Sequence, residues 1–185
     1  MRRLWLYLVG AILIVGAGVA VFFAVDNSKD NKSKSSSPSD IPASTSKQAC
    51  SIFTLAQAKQ LLGDGAKGSA DKTESQSDDL AVSSCSYSQS NGPNAPVTAT
   101  KTASLLLRAP KTSTGVDSNR NQFTVFKSAD VQDVNGYGES AYWDAEHGQL
   151  DILKDTNWYI LSYGSPTPSL RSLSETKQLA TLLFK

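Results

Sequence analysis

Between Leu4 and Val25 the chain runs for 22 positions without a charged residue. A helix crossing about 30 Å of hydrocarbon needs roughly 20 such residues. The run therefore predicts one membrane span, preceded by a three-residue tail that carries Arg2 and Arg3. Positive residues stay on the cytoplasmic side, which places everything after Asp26 outside. Trp5 and Tyr7 lie near the start of the run, where amphipathic rings favour the membrane–water boundary. A cleaved signal peptide is the alternative, with small residues at Gly18 and Ala20 suited to cleavage after Ala20. The apolar run continues through Val25, longer than the roughly 7–15 residues a signal peptide requires, so the sequence favours an uncleaved anchor in the lipid bilayer. Either reading exports the rest of the chain.

Composition changes sharply at Asp26. Residues 26–49 hold many serines, lysines, aspartates and asparagines and a single isoleucine. Too little apolar surface is available there to offset the entropy of ordering, which predicts an extended tether. Residues 50–185 are mixed in character and long enough for one compact core. That part holds 12 Lys and Arg against 14 Asp and Glu, a net of −2. Such a balance offers no footprint for nucleic acid. Two cysteines, Cys50 and Cys85, and the single histidine His147 exclude a four-ligand Cys/His zinc site. Outside the membrane, paired thiols oxidise. A Cys50–Cys85 disulfide is therefore expected, and no C-x-x-C spacing argues for redox chemistry.

The exported part reads as α+β: a meandering antiparallel sheet of about five strands with a helix near each end. Thr54 and Gln57 have capping-box spacing. Leu55, Ala58, Leu61 and Leu62 then form one helical stripe, and Gly63 suits its end. Residues 64–80 are polar and read as a loop. Strands are predicted over 81–88 and 97–109, with a turn at 91–93 and a weakly patterned helix near 113–124. Three further strands follow, with turns at 145–148 and 155–157. The last is apolar on both faces and should be central. Ser169 is the expected cap of a final helix carrying Leu170, Leu173, Ala180, Leu183 and Phe184.

The run VNGYGESAYWDAEHGQLDIL, residues 134–153, concentrates the residues that could carry chemistry. Gly136 and Gly138 invite a phosphate-cradling loop, but β-prone residues follow where a helix is needed. Ser140 with His147 invites a nucleophile and base, without the G-x-S-x-G elbow. Asp144, Glu146 and His147 are possible metal ligands in no familiar spacing. Glu139 with Asp144 is a possible carboxylate pair for glycoside cleavage. A structural reading explains more of the run. The glycines make turns, Tyr142 or Trp143 enters the core, and Glu146, His147 and Gly148 form a solvated hairpin tip. No catalytic, cofactor or metal residue is assigned.

Several of these motifs together resemble a group of small exported bacterial domains, lipoprotein-type or membrane-tethered, of unknown function. They are Cys50 ahead of a helix with Thr54, Ala58, Leu62 and Gly63, then Cys85 before Tyr87, then Gly136, Gly138, Glu139 and Ala141. The resemblance implies an exported α+β domain and no reaction type. The sequence departs from it in having no lipid-attachment cysteine after the apolar run. The reading that follows is a noncatalytic binding or sensing domain at the outer face, partnered by an envelope protein or a small molecule. An assembly subunit of an envelope complex and a cell-envelope hydrolase are the alternatives. An exposed aromatic patch, with Tyr159 or Tyr163, is the expected mark of binding.

Overall fold

The computed structural model of the chain describes residues 48–68, 72–90 and 100–184. The apolar run 4–25, the tether up to residue 47 and the turn at 91–93 lie outside those residues. Among the described residues no helix is long and apolar enough to cross a membrane.

The fold is α+β, built on one antiparallel sheet. Its strands are β1 (Lys67–Gly68), β2 (Lys72–Gln76), β3 (Leu80–Gln89), β4 (Lys101–Pro110), β5 (Gln132–Asp133), β6 (Ser140–Asp144), β7 (Gln149–Lys154) and β8 (Asn157–Gly164). The order across the sheet is β1-β3-β4-β8-β7-β6-β5, and β2 pairs with β3 beside β1. Among the described residues the sheet therefore has eight strands, not the expected five. The additional three are short edge segments, two of them inside the polar stretch read as a loop. β1 and β5 expose both their residues and β2 exposes Ser75 and Gln76. Such strands pair through the backbone alone and bury no alternating apolar face, so no periodicity announces them. β8 is central, between β4 and β7, as its two apolar faces require.

Period-two alternation divides the strands cleanly. Ala103, Leu105 and Leu107 of β4, Cys85 and Tyr87 of β3, and Tyr159, Leu161 and Tyr163 of β8 all point to the first face and are buried. Helices α1 (Ala49–Ile52), α2 (Leu55–Leu62) and α4 (Leu173–Phe184) cover that face. The capping box forms: Gln57 N donates to Thr54 Oγ1 at 3.4 Å and Thr54 N donates to Gln57 Oε1 at 2.9 Å. Leu55, expected in the buried stripe, is 44% exposed in the first turn. The Cys50–Cys85 disulfide joins α1 to β3, with Cα atoms 5.0 Å apart. Tyrosine hydroxyls fasten the helices to the sheet, Tyr87 donating to Phe53 O at 3.1 Å and Tyr163 to Leu61 O at 2.9 Å.

The last helix begins later than its sequence pattern implied. Residues Pro168–Leu170 form one 3-10 turn, and Leu170 is exposed. The cap is Ser172, whose Oγ accepts from Glu175 N at 3.3 Å. Thr167, before Pro168, is extended, and Arg171 is extended again after the turn, so the α-helix starts only beyond it.

Among the described residues the one helix on the second face is α3 (Ser113–Phe126), and it covers one end. Its Phe123 packs with Tyr142, Leu153 and Trp158. Asn119, fully buried, donates from Nδ2 to Arg108 O at 3.0 Å and to Thr156 O at 3.1 Å. Thr156 belongs to the two-residue β7–β8 turn, where Asp155 and Thr156 have φ of 49° and 68°. Positive φ at both central positions is what a type I′ hairpin turn demands.

Candidate functional site

Strand register arranges the second face in rows. Val82, Arg108, Trp158 and Leu153 lie side by side across β3, β4, β8 and β7. Leu106, Ile160, Asp151 and Tyr142 form the next row. Ser86, Ser104 and Ser162 follow, and then Ser88 with Thr102. α3 roofs the first row and, through Phe123, Tyr142 of the second. Leu106, Ile160, Ser104, Ser86 and Ser88, all partly or fully exposed, form the floor of a trough beyond it. From Arg108 to Thr102 that floor runs about 20 Å, at about 3.3 Å per residue.

At the α3 end lies a cavity of about 370 Å³, lined by Leu106, Ile160, Trp158 and Phe126 together with polar groups. Phe126 is 61% exposed, and its ring centroid stands 5.8 Å from that of Trp158. The Arg108 guanidinium carbon sits 5.0 Å from the Trp158 ring centroid. Its Nε donates to Asn119 Oδ1 at 3.3 Å and its Nη2 to Gln122 Oε1 at 2.6 Å. These acceptors are neutral, and Arg108 belongs to no ion pair among the described residues. Burial pushes its guanidinium below the ordinary value.

Asp151 stands in the middle of this floor, 4% exposed. Burial raises its carboxyl to about 7, against the Trp158 indole bond that favours the charge. Trp158 Nε1 donates to Asp151 Oδ1 at 2.7 Å. Burial, then the Asp151 charge, hold the Tyr142 phenol well above its ordinary value. At the rim His147 Nδ1 lies 2.7 Å from Asp144 Oδ2. That bond raises the His147 ring, whose side chain is 63% exposed. Partial burial opposes ionisation of Asp144, but the His147 backbone N–H and ring outweigh it and hold the carboxyl low.

Beyond Leu106 and Ile160 the trough turns hydroxylic. A second concavity of about 470 Å³ is bounded by Ser86, Ser88, Thr102 and Ser104, with Lys67 and Arg171 at its sides. Arg171 donates from Nε to Ser165 O at 2.8 Å, from Nη2 to Pro166 O at 3.3 Å and from Nη1 to His147 O at 3.5 Å. Carbonyl oxygens fix this guanidinium without neutralising it, and burial lowers it too.

The four chemical readings of residues 134–153 fare differently. Gly136 and Gly138 do have positive φ, 90° and 61°, but strand β6 follows them, so no helix N-terminus faces a phosphate. A Cβ on Gly138 would meet Leu153 O at 2.3 Å, so close approach of β7 accounts for that glycine. Ser140 opens β6 and Asp144 closes it, which separates Ser140 from the His147 hairpin by about 13 Å of strand. Glu139 and Asp144 are about 16 Å apart by the same reckoning, beyond the spacing of a glycosidase pair. Glu139 instead pairs with Arg120 at 3.5 Å. A polar cleft of about 250 Å³ lies beside Glu139 and Ser140, with no histidine in its lining. Among the described residues no three of His, Cys, Asp and Glu are placed to hold a metal ion.

The aromatic patch expected at Tyr159 or Tyr163 is not there, because both are buried on the first face, at 5% and 4% exposure. The exposed aromatic of the trough is Phe126, and sequence reasoning passed over it along with Arg108, Asp151 and Trp158. One signal was available: Asp151 interrupts the apolar run Leu150, Ile152, Leu153. Comparison with known proteins adds no further constraint: no family model, curated protein or solved structure matches the chain.

Proposed function

We propose that the chain is a membrane-anchored, extracytoplasmic, noncatalytic binding or sensing module whose site is the trough on the second face. The observation that carries this reading is the sheet face left open beside α3 among the described residues, with aromatic and aliphatic side chains, a stacked arginine and a carboxyl converging on one cavity. Sites for small molecules are concave, mostly apolar and furnished with a few fixed polar groups. The Cys50–Cys85 disulfide suits an oxidising compartment, which agrees with export behind the uncharged N-terminal run. The resemblance to small tethered bacterial domains points the same way. A cell-envelope hydrolase gains no support, because Ser140, Glu139 and His147 do not converge.

The test is co-purification. Full-length chain is taken from its own envelope fraction in mild detergent and examined by native mass spectrometry beside an Ile160→Arg variant. A small molecule bound to the first and missing from the second, at equal folded content, is the expected result. Absence of any species that depends on Ile160 would refute the site. Protease added to intact cells should remove residues 50–185 if the domain is outside. An assembly subunit is a second reading, favoured by the adjacent exposed pair Val125 and Phe126, at 79% and 61%. In that case a protein, not a small molecule, would co-purify.

A further inference from the structure

The trough changes character along its length. Leu106 and Ser104 are successive residues of the same face on β4, and Ile160 and Ser162 are successive on β8. Along the strands the side chains of this face therefore change from aliphatic to hydroxylic. An aliphatic floor under Phe126 removes apolar surface from water, worth about 25 cal/mol for each Å². Serine and threonine hydroxyls at the other end can donate to a polar head.

Charge decides which head. Lys67 and Arg171 flank the hydroxylic part, and neither belongs to an ion pair among the described residues. The carbonyl partners of Arg171 leave its charge unneutralised, so an anion beside it is favoured. Of the acids on this face, Asp151 lies in the row of Leu106 and Ile160, and Asp144 stands beside Gln149 at the β6 edge, in line with Ser162. Asp144 is already matched by His147, and Asp151 retains its proton up to about pH 7. With Asp144 matched and Asp151 under the aliphatic row, the two cations draw an anionic head to the hydroxylic part, which fixes a direction for the ligand.

We infer that the trough takes a small, single-chain amphipathic organic anion, its apolar body over Leu106, Ile160 and Trp158 and its head among Ser86, Ser104 and Thr102 between Lys67 and Arg171. The inference rests on the trough being a ligand site. From Leu106 to Thr102 the floor spans about 13 Å, a length that suits a medium alkyl or aryl chain with a phosphate or carboxylate at its end.

Full-length chain in phosphatidylcholine nanodiscs is titrated calorimetrically with octyl phosphate, octylammonium and octyl glucoside below micelle formation, with empty discs as the blank. Octyl phosphate should bind one to one and at least about tenfold more tightly than the other two, a difference of about 1.4 kcal/mol. Its affinity should fall with added salt. Lys67→Glu, on the exposed two-residue strand β1, should weaken it about tenfold, and Ile160→Ser should do likewise from the other end. Binding of octylammonium or octyl glucoside as tight as that of octyl phosphate, lost in Ile160→Ser, would keep the trough as a ligand site and overturn the anion. Octyl phosphate binding that ignores both substitutions would overturn it as well. If none of the three binds, the anion and the trough fail together.

Discussion

Replacing Asp151 by Asn should stabilise the protein at alkaline pH and change little in acid. The carboxyl is 4% exposed, and its proton is held until about pH 7 against an ordinary 3.8. Burial is the main cause: the charged form loses its water and recovers only part of the loss from the Trp158 indole. Between pH 3.8 and about 7 the folded chain keeps a proton that the unfolded chain has released. Stability therefore falls as pH rises through that window and stays low above it. Moving a carboxyl this far corresponds to about 4 kcal/mol, an upper figure because water and side-chain relaxation soften it. Asparagine has nearly the same shape and keeps an oxygen to accept from Trp158 Nε1, with no proton to lose. Urea unfolding of both proteins, disulfide intact, at pH 4.5, 6 and 8 isolates the effect, because the other titrating groups cancel in the difference. The advantage of Asp151→Asn should grow by about 2–4 kcal/mol from the lowest pH to the highest. A difference that is flat within about 0.5 kcal/mol, or that grows toward acid, would refute the assignment of a desolvated carboxyl.

Three other substitutions probe other parts of the molecule. Cys50→Ser with Cys85→Ser opens a loop of sequence separation 35 and should cost about 4 kcal/mol, read as a lower urea midpoint at unchanged pH. Asn119→Ala leaves the carbonyls of Arg108 and Thr156 without their buried donor; a loss of about 2 kcal/mol is expected, and an unchanged midpoint would mean that α3 is held by its apolar contacts alone. Asp144→Asn should bring the His147 ring down toward its ordinary value, since the Asp144 bond is the main cause of its rise; proton NMR of the imidazole reads this directly.

Where a side chain's burial follows from its neighbours in sequence, the fold was legible. Ala103, Leu105 and Leu107 announce a strand with one buried face, and Thr54 with Gln57 announces a helix start. The two cysteines announce their own pairing once the compartment is inferred. Strands β1, β2 and β5 were not legible, because their reason for existing is a partner backbone and not their own side chains. The trough was hidden for a related cause. Arg108, Leu106 and Ser104 are ordinary polar and apolar alternates in β4, and Trp158, Ile160 and Ser162 in β8. Only their register across the sheet assembles a site. Residues 134–153 drew attention through composition, yet their glycines serve backbone geometry, and their acids are scattered: Glu139 before β6, Asp144 and Glu146 with His147 at its far end, and Asp151 within β7. The buried tyrosines of β8 show the same limit: an apolar-on-both-sides strand does not say which of its faces a helix will cover.

The sulfur bridge also decides where tension would enter the domain. Cys50 is the second residue of α1, and Cys85 lies in the middle of β3, which is hydrogen-bonded to β4 along its whole length. A pull arriving through the preceding chain would pass across the covalent link straight to that strand. The segment from Ser51 to Ser84 would carry none of the load, so α1 and α2 could not be peeled away ahead of the sheet. Resistance to such a pull would be set by the β3–β4 ladder and not by the docking of α1 and α2.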